Sequence, residues 1–147
     1  MSRAWKLPAL ALLALASGLA GCSGPGVRGN AAGTGEGTAE PAARVGSLTP
    51  AEARSFLASH PEALLLDVRT PEEWNDDLGH IEGARLVPLP ELARHMEELA
   101  GWKDRPVVAV CRVGGRSRRA AGILAAAGFR QVFNLEGGMA AWRRAGF

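Results

Sequence analysis

What this chain lacks narrows its possibilities before any motif is read. It has no membrane-spanning run: the apolar stretch LPALALLALASGLA at 7–20 has 14 residues, short of the ~18 to 20 that a spanning helix needs. It has almost no charge excess. The formal net charge of +2 comes from Arg3 and Lys6, because without them 15 basic residues face 15 acidic ones, and a neutral chain is a poor partner for nucleic acid. The histidines, His60, His80 and His95, show no metal-ligand spacing, so no metal site is expected. No internal repeat is present, which excludes a two-copy architecture. Only two cysteines occur, Cys22 and Cys111, and their contexts differ sharply.

The N-terminus reads as a targeting segment. Arg3 and Lys6 make a basic start, the apolar run follows, and its length fits an export signal rather than a permanent anchor. The run ends in LAGCS, Leu19 to Ser23. This stretch resembles the lipobox of bacterial lipoproteins, in which the cysteine is acylated on sulfur and becomes the mature N-terminus. The alternative is an ordinary signal peptide cut after Ala20 or Gly21, leaving Cys22 a spare thiol. Each buried acyl methylene contributes about 0.8 kcal/mol, so a multiply acylated Cys22 would hold the protein on a membrane, facing the periplasm or the cell exterior. Residues 24–43, rich in Gly, Ala, Pro and Thr without apolar period, cannot bury enough surface to order themselves. The expected organisation is a signal at 1–21, a flexible tether at 22–43 and one folded domain at 44–147. With Cys22 lipidated, Cys111 has no disulfide partner in its own chain, and an unpaired exported cysteine is a candidate reactive thiol.

Strands and helices alternate through the folded part. After a short start at RVGS, 44–47, Thr49, Pro50 and Glu52 give a capping box with proline at the first helical position, and Ala53, Phe56 and Leu57 share a face. ALLLDV, 63–68, is the continuous apolar run of a strand buried on both faces. Thr70, Pro71 and Glu73 repeat the cap and start a short helix carrying Trp74. GHIEGARLVPL, 79–89, reads as a loop feeding a brief strand at 85–87, and 90–100 reads as a helix stopped by Gly101. A strand at 106–110, a helix at 117–127 ended by Gly128, a strand at 131–134 and a helix with Trp142 complete the alternation. Such alternation predicts an α/β three-layer sandwich with a parallel sheet of about five strands. Trp74 and Trp142 are expected in the core, His80 at a loop hydrogen bond, and Gly137 and Gly138 at a tight turn before the last helix.

The chemistry concentrates in VCRVGGRSRR, 110–119. Ligands of open α/β folds bind beyond the carboxyl ends of the strands, where Cys111 stands. Gly114 and Gly115 let the backbone curl so that successive N–H groups face inward, and a helix N-terminus follows. A thiolate in that cradle is a stabilised anion, so a depressed pKa is expected for Cys111. The competing reading is a buried core thiol, since free cysteine packs as a small hydrophobe; the strand, Gly-rich loop and helix in sequence favour the nucleophile. Arg118 and Arg119 sit in the first helical turn against the macrodipole, either to attract an anionic substrate or simply to face water.

The stretches LLDVRTPEEW (65–74), GHIEGARLVPL (79–89), VVAVCRVGGRS (107–117), AAGILAAAGF (120–129) and VFNLEGGMAAW (132–142) together resemble the rhodanese family of sulfurtransferase domains. The resemblance implies that Cys111 attacks the outer sulfur of a small anionic donor such as thiosulfate, holds it as a persulfide and passes it to a thiol or cyanide acceptor. It implies no metal or organic cofactor, and a monomer is expected. Related phosphatases of this fold separate cysteine and arginine by five residues, whereas Cys111 and Arg116 are separated by four, a smaller ring suited to one added sulfur. The amides of Arg112, Val113, Gly114, Gly115, Arg116 and Ser117 are then expected to cradle the persulfide. The Arg112 and Arg116 side chains would draw in the donor, with Arg116 alternatively bracing the loop through carbonyls. Asp67 and Arg69 would form an ion pair or cap between neighbouring loops, with direct participation the alternative. A second function remains open: a persulfide carrier or protein-interaction module without significant turnover on small donors.

Overall fold

The structure is a computed structural model that describes residues 43–147. The expected signal segment 1–21, Cys22 and all of the 22–43 tether but its last residue lie outside the described residues. Five strands, β1 (Arg44–Leu48), β2 (Leu64–Asp67), β3 (Arg85–Leu86), β4 (Pro106–Val110) and β5 (Gln131–Leu135), form one sheet in the order β1-β5-β4-β2-β3. Every pairing is parallel. All carboxyl ends therefore meet at one edge of the sheet, and β4 runs between β5 and β2.

Five α-helical segments accompany the strands: α1 (Pro50–Ser59), α2 (Pro71–Trp74), α3 (Met96–Leu99), α4 (Gly115–Ala126) and α5 (Gly138–Arg144). Alternate residues of each strand face opposite layers, as the two-residue period requires. Leu64, Leu66, Val107 and Ala109 pack with Leu92, Leu99, Ala120, Ala121 and Leu124 on one side. Leu65, Val108 and Val110 pack with Ala53, Met139 and Trp142 on the other. Thus α3 and α4 cover one face and α1 and α5 the other, giving the three layers that the alternation predicts. Cys111, next in step after Val107 and Ala109, belongs to the α4 side.

Both predicted capping boxes form. Thr49 N donates to Glu52 Oε2 at 2.9 Å, and Thr70 N donates to Glu73 Oε2 at 3.2 Å, each returned by the N3 amide. Other expectations need correction. The segment 90–100 is not one α-helix: 3-10 helix occupies Leu89–His95 and Ala100–Trp102, with only α3 between. Pro88 and Pro90 withhold amides, no side chain caps the start, and Leu92 and Leu99 are fully buried, so side-chain burial rather than a regular hydrogen-bond ladder fixes this stretch. Trp74 belongs to neither core cluster; four residues of α2 are too few to hold a second apolar face. Trp142 does reach the core, at 6% exposure. Helix α4 begins at Gly115, two residues before the expected start, because Gly114 turns the chain with φ 96°.

One close approach positions the site. The first amides of α5 reach the loop after β4: Met139 N donates to Cys111 O at 2.8 Å and Ala140 N to Arg112 O at 3.0 Å. At Gly138 the backbone takes φ 56°, and a Cβ there would collide with Cys111 O and sit 2.7 Å from Arg112 O. Gly138→Ala is expected to destabilise the fold by more than about 2 kcal/mol, from left-handed strain plus the collision. At Gly122, on the exposed side of α4, a Cβ would meet nothing within 4 Å, so Gly122→Ala should stabilise by up to about 1 kcal/mol. Urea denaturation of the two variants reads opposite signs if the backbone contact at Gly138 is the constraint described.

Candidate active site

Strand β4 delivers Cys111 to the carboxyl edge of the sheet with 1% of its surface exposed. Beyond it the chain must reverse within three residues to enter α4. Gly114 makes the reversal, packed so tightly that a Cβ there would lie 3.3 Å from Gly137 N and 3.4 Å from Leu135 O. With the Arg112 carbonyl turned outward to α5, the Val113 amide on the other side of the same peptide turns inward. Gly114 N donates to Cys111 Sγ at 3.1 Å and Ser117 Oγ lies 3.3 Å from the same sulfur. Burial alone would push the thiol pKa up, but bonds from the Ser117 hydroxyl and the amides of Ser117, Gly114 and Val113 outweigh it and hold the pKa below the usual thiol value. Of the loop Arg112–Ser117, these three amides face the sulfur, while the Val113 side chain stands 68% exposed at the rim.

The loop arginines have carboxylate partners on the facing segment. Arg116 makes a bidentate pair with Glu73, Nη1 to Oε2 and Nη2 to Oε1, both at 2.6 Å. Arg116 therefore braces α2 against α4 through a carboxylate rather than through loop carbonyls. The bond to Glu73 raises the guanidinium pKa against the effect of burial, and the Cys111 sulfur adds to the same direction. Arg112 pairs with Asp76 just beyond α2. Arg118 and Arg119 are exposed and make no ion pair among the described residues.

Asp67 and Arg69 are fully buried and paired with each other, Arg69 Nη2 standing 2.8 Å from Asp67 Oδ2. Asp67 sits at the end of β2, in register with Val110, one residue before Cys111. Arg69 N and Nε also bond Asp67, while Nη1 and Nη2 each donate at 2.7 Å to the carbonyls of Glu73 and Gly79. A buried pair is tolerable only when its remaining donors are satisfied, and here those donors tie α2 and the loop after it to the sheet. The His80 ring makes no loop hydrogen bond; it stacks on Trp74 with centroids 4.0 Å apart, and its carbonyl accepts from Arg143. Among the described residues no group of three or more His, Cys, Asp or Glu could hold a metal ion.

Three participants escaped the sequence. Glu73 was legible only as a helix cap, Asp76 not at all, and Asn134, buried at 1% on β5, lies with Oδ1 2.6 Å from Ser117 Oγ. A polar residue at the end of the apolar strand QVFN was the one available signal for the last.

The family model for the rhodanese-like domain matches residues 49–145. The chain is 40% identical over 104 residues to a probable adenylyltransferase/sulfurtransferase, MoeZ, of Mycobacterium tuberculosis, covering 70% of this chain but about a quarter, 26%, of that protein. It is 41% identical over 90 residues to a sulfurtransferase of Allochromatium vinosum, covering 61% of this chain and 80% of the relative. Among solved structures, the thiosulfate sulfurtransferase of Pseudomonas aeruginosa aligns with TM-score 0.60 at 31% identity, over 69% of this chain and 19% of that one.

The Glu73 brace has a pH signature. Chiefly through its bond to Arg116, against the opposing effect of burial, the Glu73 carboxyl is lowered from 4.5 to about 2. The folded value lies below the unfolded one, so the stability it contributes is complete above about 4.5 and disappears as pH falls toward about 2. Glu73→Gln should therefore be less stable than wild type at pH 7, and urea denaturation should show the gap narrowing through pH 4 and 3. A gap that does not change with pH would remove the pair from the stability of the site.

Proposed function

The chain belongs to the rhodanese-like domain family, and we propose that it is a sulfurtransferase that moves sulfane sulfur through a persulfide on Cys111. Members similar to it include sulfurtransferases. The observation that carries the reading is a buried sulfur whose pKa is held down by the Ser117 hydroxyl and three loop amides. Those donors match an anionic sulfur and would serve the terminal sulfur of a persulfide equally.

In the proposed cycle the Cys111 thiolate attacks the outer sulfur of a donor such as thiosulfate. A Cys–S–S bond forms as the donor S–S bond breaks, and the electron pair leaves with sulfite. An acceptor thiolate then attacks the outer sulfur, takes it as its own persulfide and returns Cys111 to the thiolate. No net oxidation occurs, and the chain's residues need only bind anions and hold the sulfur. Because Arg112 and Arg116 are paired with carboxylates, the attraction for the donor rests on the loop amides and the N-terminus of the twelve-residue α4. Asp67 and Arg69 act by bracing, since both are fully buried.

We also propose that Cys22 is acylated and tethers the domain to a membrane facing the periplasm or cell exterior, supported by the basic start, the apolar run and LAGCS.

Incubation of the protein with thiosulfate and cyanide should yield thiocyanate, with turnover abolished in Cys111→Ser. Wild-type turnover no higher than the mutant background would overturn the small-donor reading and favour a carrier that receives its sulfur from another protein. For the tether, mass spectrometry of protein made in its own cell envelope should find an acylated N-terminus at Cys22, and an intact Met1 would refute it.

A further inference from the structure

Asn134 is unusual among the buried residues. It stands on β5, in register with Ala109 of β4 and Ser47 of β1, with 1% of its surface exposed. Burying an amide is unfavourable unless its polar atoms are bonded, yet Nδ2 is the sole buried side-chain nitrogen or oxygen without a partner among the described residues. Its other end touches the candidate site, Oδ1 lying 2.6 Å from Ser117 Oγ.

Ser117 has one hydroxyl proton and three neighbours able to accept it: Asn134 Oδ1 at 2.6 Å, Gly114 O at 3.2 Å and Cys111 Sγ at 3.3 Å. With the amide oxygen facing Ser117, the shortest contact takes the proton. The sulfur then loses its side-chain donor, and the amide NH2 is left unbonded. This arrangement suits a protonated thiol, which needs no donor. It does not suit a thiolate or a persulfide anion, for which the hydroxyl proton must turn to sulfur. Two oxygens cannot stay 2.6 Å apart with no proton between them. The contact survives only if Asn134 becomes the donor, and a half-turn of the amide about its last torsion exchanges oxygen for nitrogen within the same volume.

We propose that Asn134 is a positioning residue for Cys111: in the anionic states its amide donates to Ser117 Oγ and so commits the hydroxyl proton of Ser117 to the cysteine sulfur. The donor chain runs from amide to hydroxyl to sulfur, and each member acts only through the next. Of the charged side chains, Arg116 also reaches Cys111 and is itself faced by Glu73; both stay in place in the variants below. The proposal rests on the reading of Cys111 as a functional thiolate, but its test needs no sulfur transfer.

The test is a double-mutant cycle read by Cys111 titration, following thiolate absorbance in the far ultraviolet and the pH profile of iodoacetamide alkylation. In the described domain Cys111 is the free thiol, and Cys22→Ser in every variant removes the other. Ser117→Ala and Asn134→Leu should each raise the Cys111 pKa by about one to two units, the worth of one hydrogen bond to the charged form. The double variant should rise no further than Ser117→Ala alone. Equal shifts from Asn134→Leu with and without the Ser117 hydroxyl, or no shift at all, would overturn the proposal, because a residue that merely fills space has no need of that hydroxyl. Should Asn134→Leu fail to fold, Asn134→Ala substitutes: with no donor it should raise the pKa more when Ser117 is intact than when it is combined with Ser117→Ala, and equal rises overturn the proposal. A coupled titration in a protein without thiocyanate formation would sink the small-donor reading while leaving the role of Asn134 intact.

Discussion

The site depends on two hydrogen bonds that contain no side chain. Met139 N and Ala140 N, the first free amides of α5, take the carbonyls of Cys111 and Arg112. A peptide unit is planar, so fixing where its oxygen points also fixes where the N–H of the next residue points. Holding the Arg112 carbonyl outward turns the Val113 amide toward the sulfur, and the left-handed turn at Gly114 brings its own amide and that of Ser117 to the same side. The glycine at 138 is the condition for this contact, since any Cβ would stand where the Cys111 carbonyl is. A helix from the opposite layer of the sandwich thus helps to shape the loop at the end of β4. That accounts for the coupling of the loop to the C-terminal segment, although 26 residues lie between Cys111 and Gly138 in the sequence.

Electrostatics at the mouth are balanced rather than simply positive. Two arginines in the loop suggest a cationic funnel, but Glu73 and Asp76 answer them one for one. The exposed pair Arg112–Asp76 contributes little to stability at ordinary ionic strength. The bidentate Arg116–Glu73 pair has the planar fork geometry that makes such contacts directional, and it fastens α2 to the start of α4. Beneath it the buried Asp67–Arg69 pair anchors the same short helix through the carbonyls of Glu73 and Gly79. A four-residue helix cannot hold itself. Its position comes from a capping box, one part-buried ion pair and the donors of one fully buried pair, all reaching Thr70 to Glu73.

Much of this organisation was legible in the sequence, and the misses have particular physical causes. Capping boxes at Thr49 and Thr70 located two helix starts because every participant lies within three residues. The run LLLD and the glycine loop after VVAV located the central strands and the cysteine for the same reason. The segment 90–100 misled because leucines at 89, 92 and 99 suit an α-helix and a 3-10 helix alike, and tertiary burial decides between them. Trp74 misled because a helix that short has no apolar stripe to which a tryptophan can belong, and it stacks on His80 instead. The partners of the loop arginines lie 36 and 43 residues away, a distance over which no local pattern assigns a pair. Asn134 was hidden differently: its neighbours in sequence are those of an ordinary strand, and only the register of β5 beside β4 brings it to Ser117.

Burial and activation oppose one another at Cys111, and that opposition explains the density of donors around it. A sulfur at 1% exposure gains little hydration, so its anion exists at neutral pH only where protein dipoles replace water. Arginine charge could supply the same stabilisation, but a guanidinium bonded directly to sulfur would have to be displaced each time the sulfur was extended or transferred. In the proposed cycle, backbone amides fixed by the fold and the Ser117 hydroxyl need no displacement. They can follow the negative charge from the cysteine sulfur to the next atom. Pairing Arg116 with Glu73 keeps the guanidinium near the sulfur without giving it sole possession of an anion there, and the Val113 side chain stands exposed at the rim of the same loop.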